Sequence, residues 1–323
     1  MKKYSAASVG TLLISAAALA AAVFLLVSDA KNPAVTDEPE QQEQPADSME
    51  GVSDEIRVEL LGTEPETLTL DAGAPQILIY HTHTTEAYTK EADGLYDETT
   101  KWRTNDENYN VVRVGEELAR ELREKYRLSV LHDTTNHEPP YLGTSYERSL
   151  KTMIKYQREY PSIKLFIDVH RDAYTLPEGA QNTDFAEVDG RRCARLMFVV
   201  GTGEGKTGAG FAIKPHYKEN YALALSVTNA LEAVNKKLAR PVRVKTGRYN
   251  QHIGENALLV EMGHNANTLT EALNSVPYLA QSIASALRLR PAGLLPLVPD
   301  AGIPSHAPDD SAKPLQLAPS GVK

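Results

Sequence analysis

A chain of 323 residues can bury a sizeable core as one large domain or two small ones. Its 34 Lys and Arg stand against 43 Asp and Glu, for a net charge of -9, which disfavours nucleic acid as a partner because no basic stripe is available for phosphates. The single cysteine, Cys193, excludes an internal disulfide and a thiolate-rich metal knuckle, so any metal has to be held by His, Asp and Glu.

Lys2 and Lys3 precede a segment, Tyr4 to Ser28, that carries no charge, and Val9 to Val27 is long and apolar enough to cross a bilayer as a helix. The positive flank predicts the N-terminus inside and the remainder outside. A cleaved signal peptide is the rival, with Ser28-Asp29-Ala30 as its cleavage site, but its apolar region is usually shorter. The expectation is a single-pass cell-membrane protein: anchor at 1–30, a flexible Pro-, Gln-, Glu- and Asp-rich tether at 31–55, and an extracytoplasmic domain at 56–290. Residues 291–323, punctuated by prolines, read as a disordered tail.

Within the domain, strands alternate with helices. Ile77–Tyr80 reads as a strand, 106–124 as an amphipathic helix, 128–131 as a short strand and 145–159 as a helix closed by Pro161. A continuous apolar strand at 163–169 follows, then a strand at 195–200, a long helix at 218–238, an edge strand at 242–244, a strand at 257–260 and a closing helix at 269–289. This alternation, with each strand continuously apolar, predicts an α/β fold: a three-layer, mostly parallel sheet with helices on both faces, preceded by one transmembrane helix.

In such a sheet ligands bind outside the carboxyl ends of the strands. Three strands run into His or Glu there: the first into His81-Thr82-His83-Thr84-Thr85-Glu86, the second into His170-Arg171-Asp172, the third into Glu261-Met262-Gly263-His264. His81 and His83, two apart, share a face if the strand continues, and a tight turn brings Glu86 to the same point. Two imidazoles and a carboxylate are the donors of a catalytic metal site; two solvent-facing loop histidines are the plainer reading. The glycine-rich run Gly201–Gly208 invites a phosphate-binding reading, but Val200 stands where a P-loop needs glycine and Pro215 delays the next helix, so it reads as a surface loop.

Five separated stretches together resemble one family: His81–Tyr88 (HTHTTEAY), Tyr109–Gly115, Asp168–Ala173 (DVHRDA), Arg248–His252 (RYNQH) and Leu258–Thr268 (LLVEMGHNANT). Over about residues 75–290 the chain resembles the stage II sporulation protein P family, membrane-anchored cell-wall hydrolases of endospore-forming bacteria. That family is more distantly similar to zinc-dependent N-acetylmuramoyl-L-alanine amidases, whose Gly-His-Gly-Gly signature is absent here. The resemblance implies zinc-dependent hydrolysis of the amide between N-acetylmuramic acid and L-alanine of peptidoglycan, with endopeptidase action on cross-links also associated, during engulfment of the forespore. Stage II sporulation proteins D and M are the implied associates.

Carried over, His83 and His170 are zinc ligands and Glu86 the third, with Asp106 as its alternative; Glu261 is the catalytic glutamate. His81 supports the ligands or faces substrate. Arg171 or His264 steadies the oxyanion, or pairs structurally with Asp172 and Glu255; Arg248, Asn250 and His264 are assigned to substrate. A non-catalytic wall-binding scaffold of the same fold is the alternative, and Glu261, which binding does not need, separates the two.

Overall fold

The computed structural model describes residues 48–65, 74–92, 95–177, 180–208 and 210–288. The expected membrane span and the C-terminal tail lie outside these residues. Among the described residues no helix is long and apolar enough to cross a membrane.

The elements are α1 (Asp54–Leu61), β1 (Ile77–Tyr80), α2 (Val111–Tyr126), β2 (Val130–His132), α3 (Ser145–Glu159), β3 (Leu165–Asp172), β4 (Phe185–Val188), β5 (Arg191–Ala194), β6 (Leu196–Gly201), α4 (Tyr217–Val234), β7 (Arg243–Lys245), β8 (Ala257–His264) and α5 (Leu269–Ala286). The main sheet runs β2-β1-β3-β8-β6-β7. Its first four strands are mutually parallel; β6 runs antiparallel to β8 and takes β7 with it as a parallel edge. Along each central strand alternate side chains enter opposite layers. Ile77, Ile79, Leu165, Ile167, Leu258 and Val260 pack with the buried stripes of α2, α4 and α5. Leu78, Tyr80, Phe166 and Ala257 pack against Met153 of α3 on the other face. The expected three-layer, mostly parallel architecture is what forms.

Several boundaries differ from the sequence expectation for identifiable reasons. The helix expected from Asp106 starts at Val111, because the Asn110 carboxamide caps it by accepting from Val112 N at 2.9 Å. Asp106 instead closes a local turn, accepting from Asn108 N and Nδ2. The apolar run of β3 ends at Val169, yet its ladder continues through His170 to Asp172 because β8 pairs with it. A hairpin not anticipated, β4–β5, turns on Asp189 and Gly190, both at positive φ, the Asp-Gly signature of a tight hairpin. Nor does the tether reach residue 55: Met49 and Val52 are buried, and the Ser48 carbonyl accepts from Val244 N of edge strand β7 at 2.7 Å.

The topology prepares a crevice. From β1 the chain crosses by α2 to β2 on one side; from β2 it crosses by α3, on the opposite face, to β3 on β1's other side. Loops leaving the carboxyl ends of β1 and β3 therefore diverge, the switch point at which open α/β sheets bind ligands.

Candidate active site

The chain leaves extended conformation after Tyr80 and turns over 82–85. Asp168 of β3 holds this turn: its Oδ1 accepts from Thr82 N at 2.8 Å and its Oδ2 from Thr82 Oγ1 at 2.6 Å. The turn separates the two histidines expected on one face. His83 swings over the carboxyl end of β3, its ring edge-on to that of His170 with centroids 5.3 Å apart. His81 points into the α2 layer, fully buried, with Nδ1 donating to Val169 O at 3.0 Å and Nε2 2.9 Å from His132 Nε2. Gly115 of α2 lies so close that a Cβ there would meet His81 Cε1 at 2.6 Å. His81 is thus a core histidine rather than a substrate-facing one, and burial brings its pKa down to about 3.

Glu86 is delivered as expected, by a turn in which its N–H donates to His83 O at 3.3 Å. Buried beside β3, its Oε2 accepts from Arg171 N at 3.1 Å and lies 3.5 Å from His170 Nδ1; Oε1 is 3.7 Å from Arg103 Nη2. Burial alone would raise the Glu86 pKa, but the hydrogen bond and charge of His170, with Arg171 and His83, hold it far below the usual carboxylate range. The other nitrogen of His170, Nε2, is 3.0 Å from Asp168 Oδ1, though not aligned for a hydrogen bond. Against its burial, the carboxylates of Asp168 and Glu86 push the His170 pKa well up. Asp106 is exposed and occupied in its own turn, so of the two candidate carboxylates it is Glu86 that reaches the histidines.

Glu261 is the register partner of His170 across the parallel β3–β8 pair, so both side chains leave the same face of the sheet. Burial, and next the charge of Asp172, raise the Glu261 pKa to about 8. Three buried polar atoms here lack a hydrogen-bond partner: His83 Nδ1, His170 Nε2 and Glu261 Oε2. Burial lowers the His83 pKa to about 4. Buried polar atoms without a partner are uncommon in folded chains, and three so close together are donors and acceptors that a bound group can satisfy. Among the described residues, no three His, Cys, Asp or Glu side chains are already gathered as a metal-holding group.

The remaining expected site residues are committed elsewhere. The Arg171 guanidinium donates from Nε to Ala87 O and from Nη2 to Trp102 O, each at 2.9 Å, tying Ala87 and Trp102 to β3. His264 is fully buried; Ala266 N donates to its Nδ1, leaving Nε2 against the Tyr174 hydroxyl, with Asp184 Oδ2 at 3.5 Å. Arg248 donates to Gly210 O and lies over the Phe211 ring at 4.6 Å, bracing the loop after β6. Asn250, in left-handed conformation at φ 54°, donates from Nδ2 to Tyr146 O at 2.7 Å and Ser149 Oγ at 3.1 Å. Asn250 thereby anchors the 248–252 loop to α3 and is buried, whereas Arg248 braces the loop after β6 and stays partly exposed. The glycine-rich run after β6 is a loop with no helix directly behind it, since α4 begins at Tyr217.

Four neighbours escaped the sequence reading. Asp168 is buried under the turn; its signal was a charge inside an otherwise apolar strand. Glu138 Oε1 is 3.8 Å from His83 Nδ1 and accepts from Arg103 Nη1 at 2.6 Å, so Arg103 ties Glu138 to Glu86. Tyr146, in the first turn of α3, sets its ring 5.6 Å from His83 and 6.5 Å from His170. Nothing local in the sequence marks Glu138, Arg103 or Tyr146.

The model of the stage II sporulation protein P family matches residues 24–284. Stage II sporulation protein P of Bacillus subtilis (strain 168) is 26% identical over 205 residues, covering 60% of this chain and 47% of that protein, so the chain spans about half the length of this curated relative. Among solved structures, the N-acetylmuramoyl-L-alanine amidase from Clostridium difficile 630 is similar at a TM-score of 0.38 and 15% identity, over 67% of this chain and 96% of that one. The catalytic domain of CwlV, an N-acetylmuramoyl-L-alanine amidase from Bacillus (Paenibacillus) polymyxa var. colistinus, is similar at a TM-score of 0.37 and 13% identity, over 66% and 96%. With its family model matching residues 24–284, well over half of its length, the chain belongs to the stage II sporulation protein P family.

Proposed function

We propose that this chain is a zinc-dependent amide hydrolase of peptidoglycan, acting on the bond between N-acetylmuramic acid and L-alanine during sporulation. The observation that carries the reading is the convergence of His83, His170, Glu86 and Glu261 at the switch point, with three of their buried polar atoms unpartnered. The donor set fits zinc. Two donors on one tetrahedral ion stand about 3.3 Å apart, and His170 Nδ1 and Glu86 Oε2 are 3.5 Å apart. His83, with its unpartnered nitrogen, is the third donor, and no cysteine is required.

The chemistry such an ion supplies is Lewis acidity, which makes water nucleophilic near neutral pH and polarises the scissile carbonyl. Around it the chain's own groups divide the work. Asp168 orients the His170 ring, as carboxylates behind metal-ligating histidines do. Glu138, held by Arg103, puts its Oε1 3.8 Å from His83 Nδ1 and adds a carboxylate beside the donors. Glu261 takes the proton of the attacking water and returns it to the leaving nitrogen; burial, by raising its carboxyl above the usual range, makes it a better proton acceptor than an exposed glutamate. The segment at 9–27, as a membrane anchor, would tether the domain outside the cytoplasm at its substrate, and endopeptidase action and association with stage II sporulation proteins D and M belong to the same reading.

The test is digestion of isolated peptidoglycan by the full-length protein, with and without a chelator, the new termini identified by mass spectrometry. Muramic acid ends freed of L-alanine are expected, lost with the chelator and restored by zinc. Glu261→Ala should keep zinc and sacculus binding while releasing nothing. Sacculus binding without release by the unaltered, zinc-loaded protein would favour the scaffold alternative.

A further inference from the structure

An amide hydrolase needs a hydrogen-bond donor where negative charge develops on the carbonyl oxygen. The two groups expected to serve are spent: Arg171 on the Ala87 and Trp102 carbonyls, His264 on Tyr174 and Ala266. Arg103, a further nearby cation, is divided between Glu138 and Glu86. Tyr146 is not committed in this way. Among the described residues its hydroxyl has no hydrogen-bond partner, although its ring stands against both site histidines, edge-on to His83 and nearly parallel to His170.

Its position is also braced. The Tyr146 carbonyl accepts from Asn250 Nδ2, so the first turn of α3 and the 248–252 loop hold one another. The ring of Tyr249, from that same loop, packs edge-on against Tyr146 with centroids 5.8 Å apart. A donor fixed from a helix and a loop at once loses little freedom when it engages substrate, which is the condition for effective stabilisation of a developing charge.

We propose that Tyr146 is a catalytic residue: its phenol O–H donates a hydrogen bond to the carbonyl oxygen of the scissile amide. As the water oxygen bonds to the amide carbon, the C=O π pair moves onto the carbonyl oxygen, where the phenol's hydrogen bond stabilises it. When the pair returns, the C–N bond breaks, and the proton first taken by Glu261 goes to the leaving nitrogen. The phenol keeps its own proton throughout. This inference rests on the amide-hydrolase reading above.

The test is Tyr146→Phe in the full-length protein, which removes only the hydroxyl, assayed with soluble muramyl-peptide fragments. The expected result is a fall in kcat of about 10²–10³-fold with KM little changed. Zinc per chain and the thermal unfolding midpoint should equal those of the unaltered protein. A kcat indistinguishable from wild type, or a loss accompanied by loss of zinc or of fold, overturns the role. An unaltered, zinc-loaded protein that releases nothing would instead overturn the hydrolase reading on which the role depends.

Discussion

Asp168 and His170 stand two residues apart on one face of β3, with Asp168 Oδ1 3.0 Å from His170 Nε2. Asp168 also receives both hydrogen bonds from Thr82, so one buried carboxylate sets its charge beside the His170 ring and seats the turn that carries His83. Asp168→Asn keeps an oxygen for Thr82 N but removes the charge behind the ring. Zinc affinity is expected to fall about 10–100-fold, with the fold retained, measured by competition against a chromogenic chelator. An unchanged affinity would mean that the ring needs no orienting carboxylate.

Arg171 reads as a clamp. Arg171→Met strands the carbonyls of Ala87 and Trp102 and takes a positive charge from beside buried Glu86, so stability should drop by about 2–4 kcal/mol in chemical denaturation. Turnover per folded molecule should survive. Collapse of kcat with no change in stability would restore the oxyanion role first expected of this residue.

Gly115 is required by contact rather than by conformation. A methyl group there would meet His81 Cε1 and Nε2 at 2.6 Å and His132 Nε2 at 2.8 Å, all inside the packed layer between α2 and the sheet. Gly115→Ala gains helix propensity, but overpacking of this kind costs about 1–3 kcal/mol, so the net effect should be a lower unfolding midpoint. A midpoint at or above wild type would show that His81 can move aside freely.

Acid should destabilise the protein through its buried neutral histidines. Burial holds His81 at about 3 and His264 at about 4, both below the ordinary 6.5. Between 6.5 and those values the unfolded chain binds protons that the folded chain refuses, so stability is complete above about 6.5 and declines as pH falls toward 4. For His264 the loss amounts to about 3 kcal/mol. His264→Gln, which has no such proton to take up, should flatten the slope of unfolding free energy against pH in that window; an unaltered slope would remove His264 from the account.

Much of the architecture was legible because hydropathy patterns are local. The helix at Ser145–Glu159 and the strand at Ile77–Tyr80 fall where the pattern placed them, and the three strand ends bearing His83, His170 and Glu261 do converge. The β4–β5 hairpin carries an Asp189-Gly190 turn signal, but its flanking strands are too short and too little apolar for hydropathy to mark them.

By itself, then, the sequence determined the layer order and which strand ends carry imidazole and carboxylate, because apolar periodicity decides which segments must be buried. Tertiary structure decided which of those side chains meet. The histidine pair that heads the site was expected on a single face; instead the turn pinned by Asp168 sends His83 toward His170 and leaves His81 beneath α2. The ladder to β8 carries β3 past its apolar run, and the carbonyls of Ala87 and Trp102 claim Arg171. Each of these depends on a partner tens of residues distant, whose position no local pattern encodes.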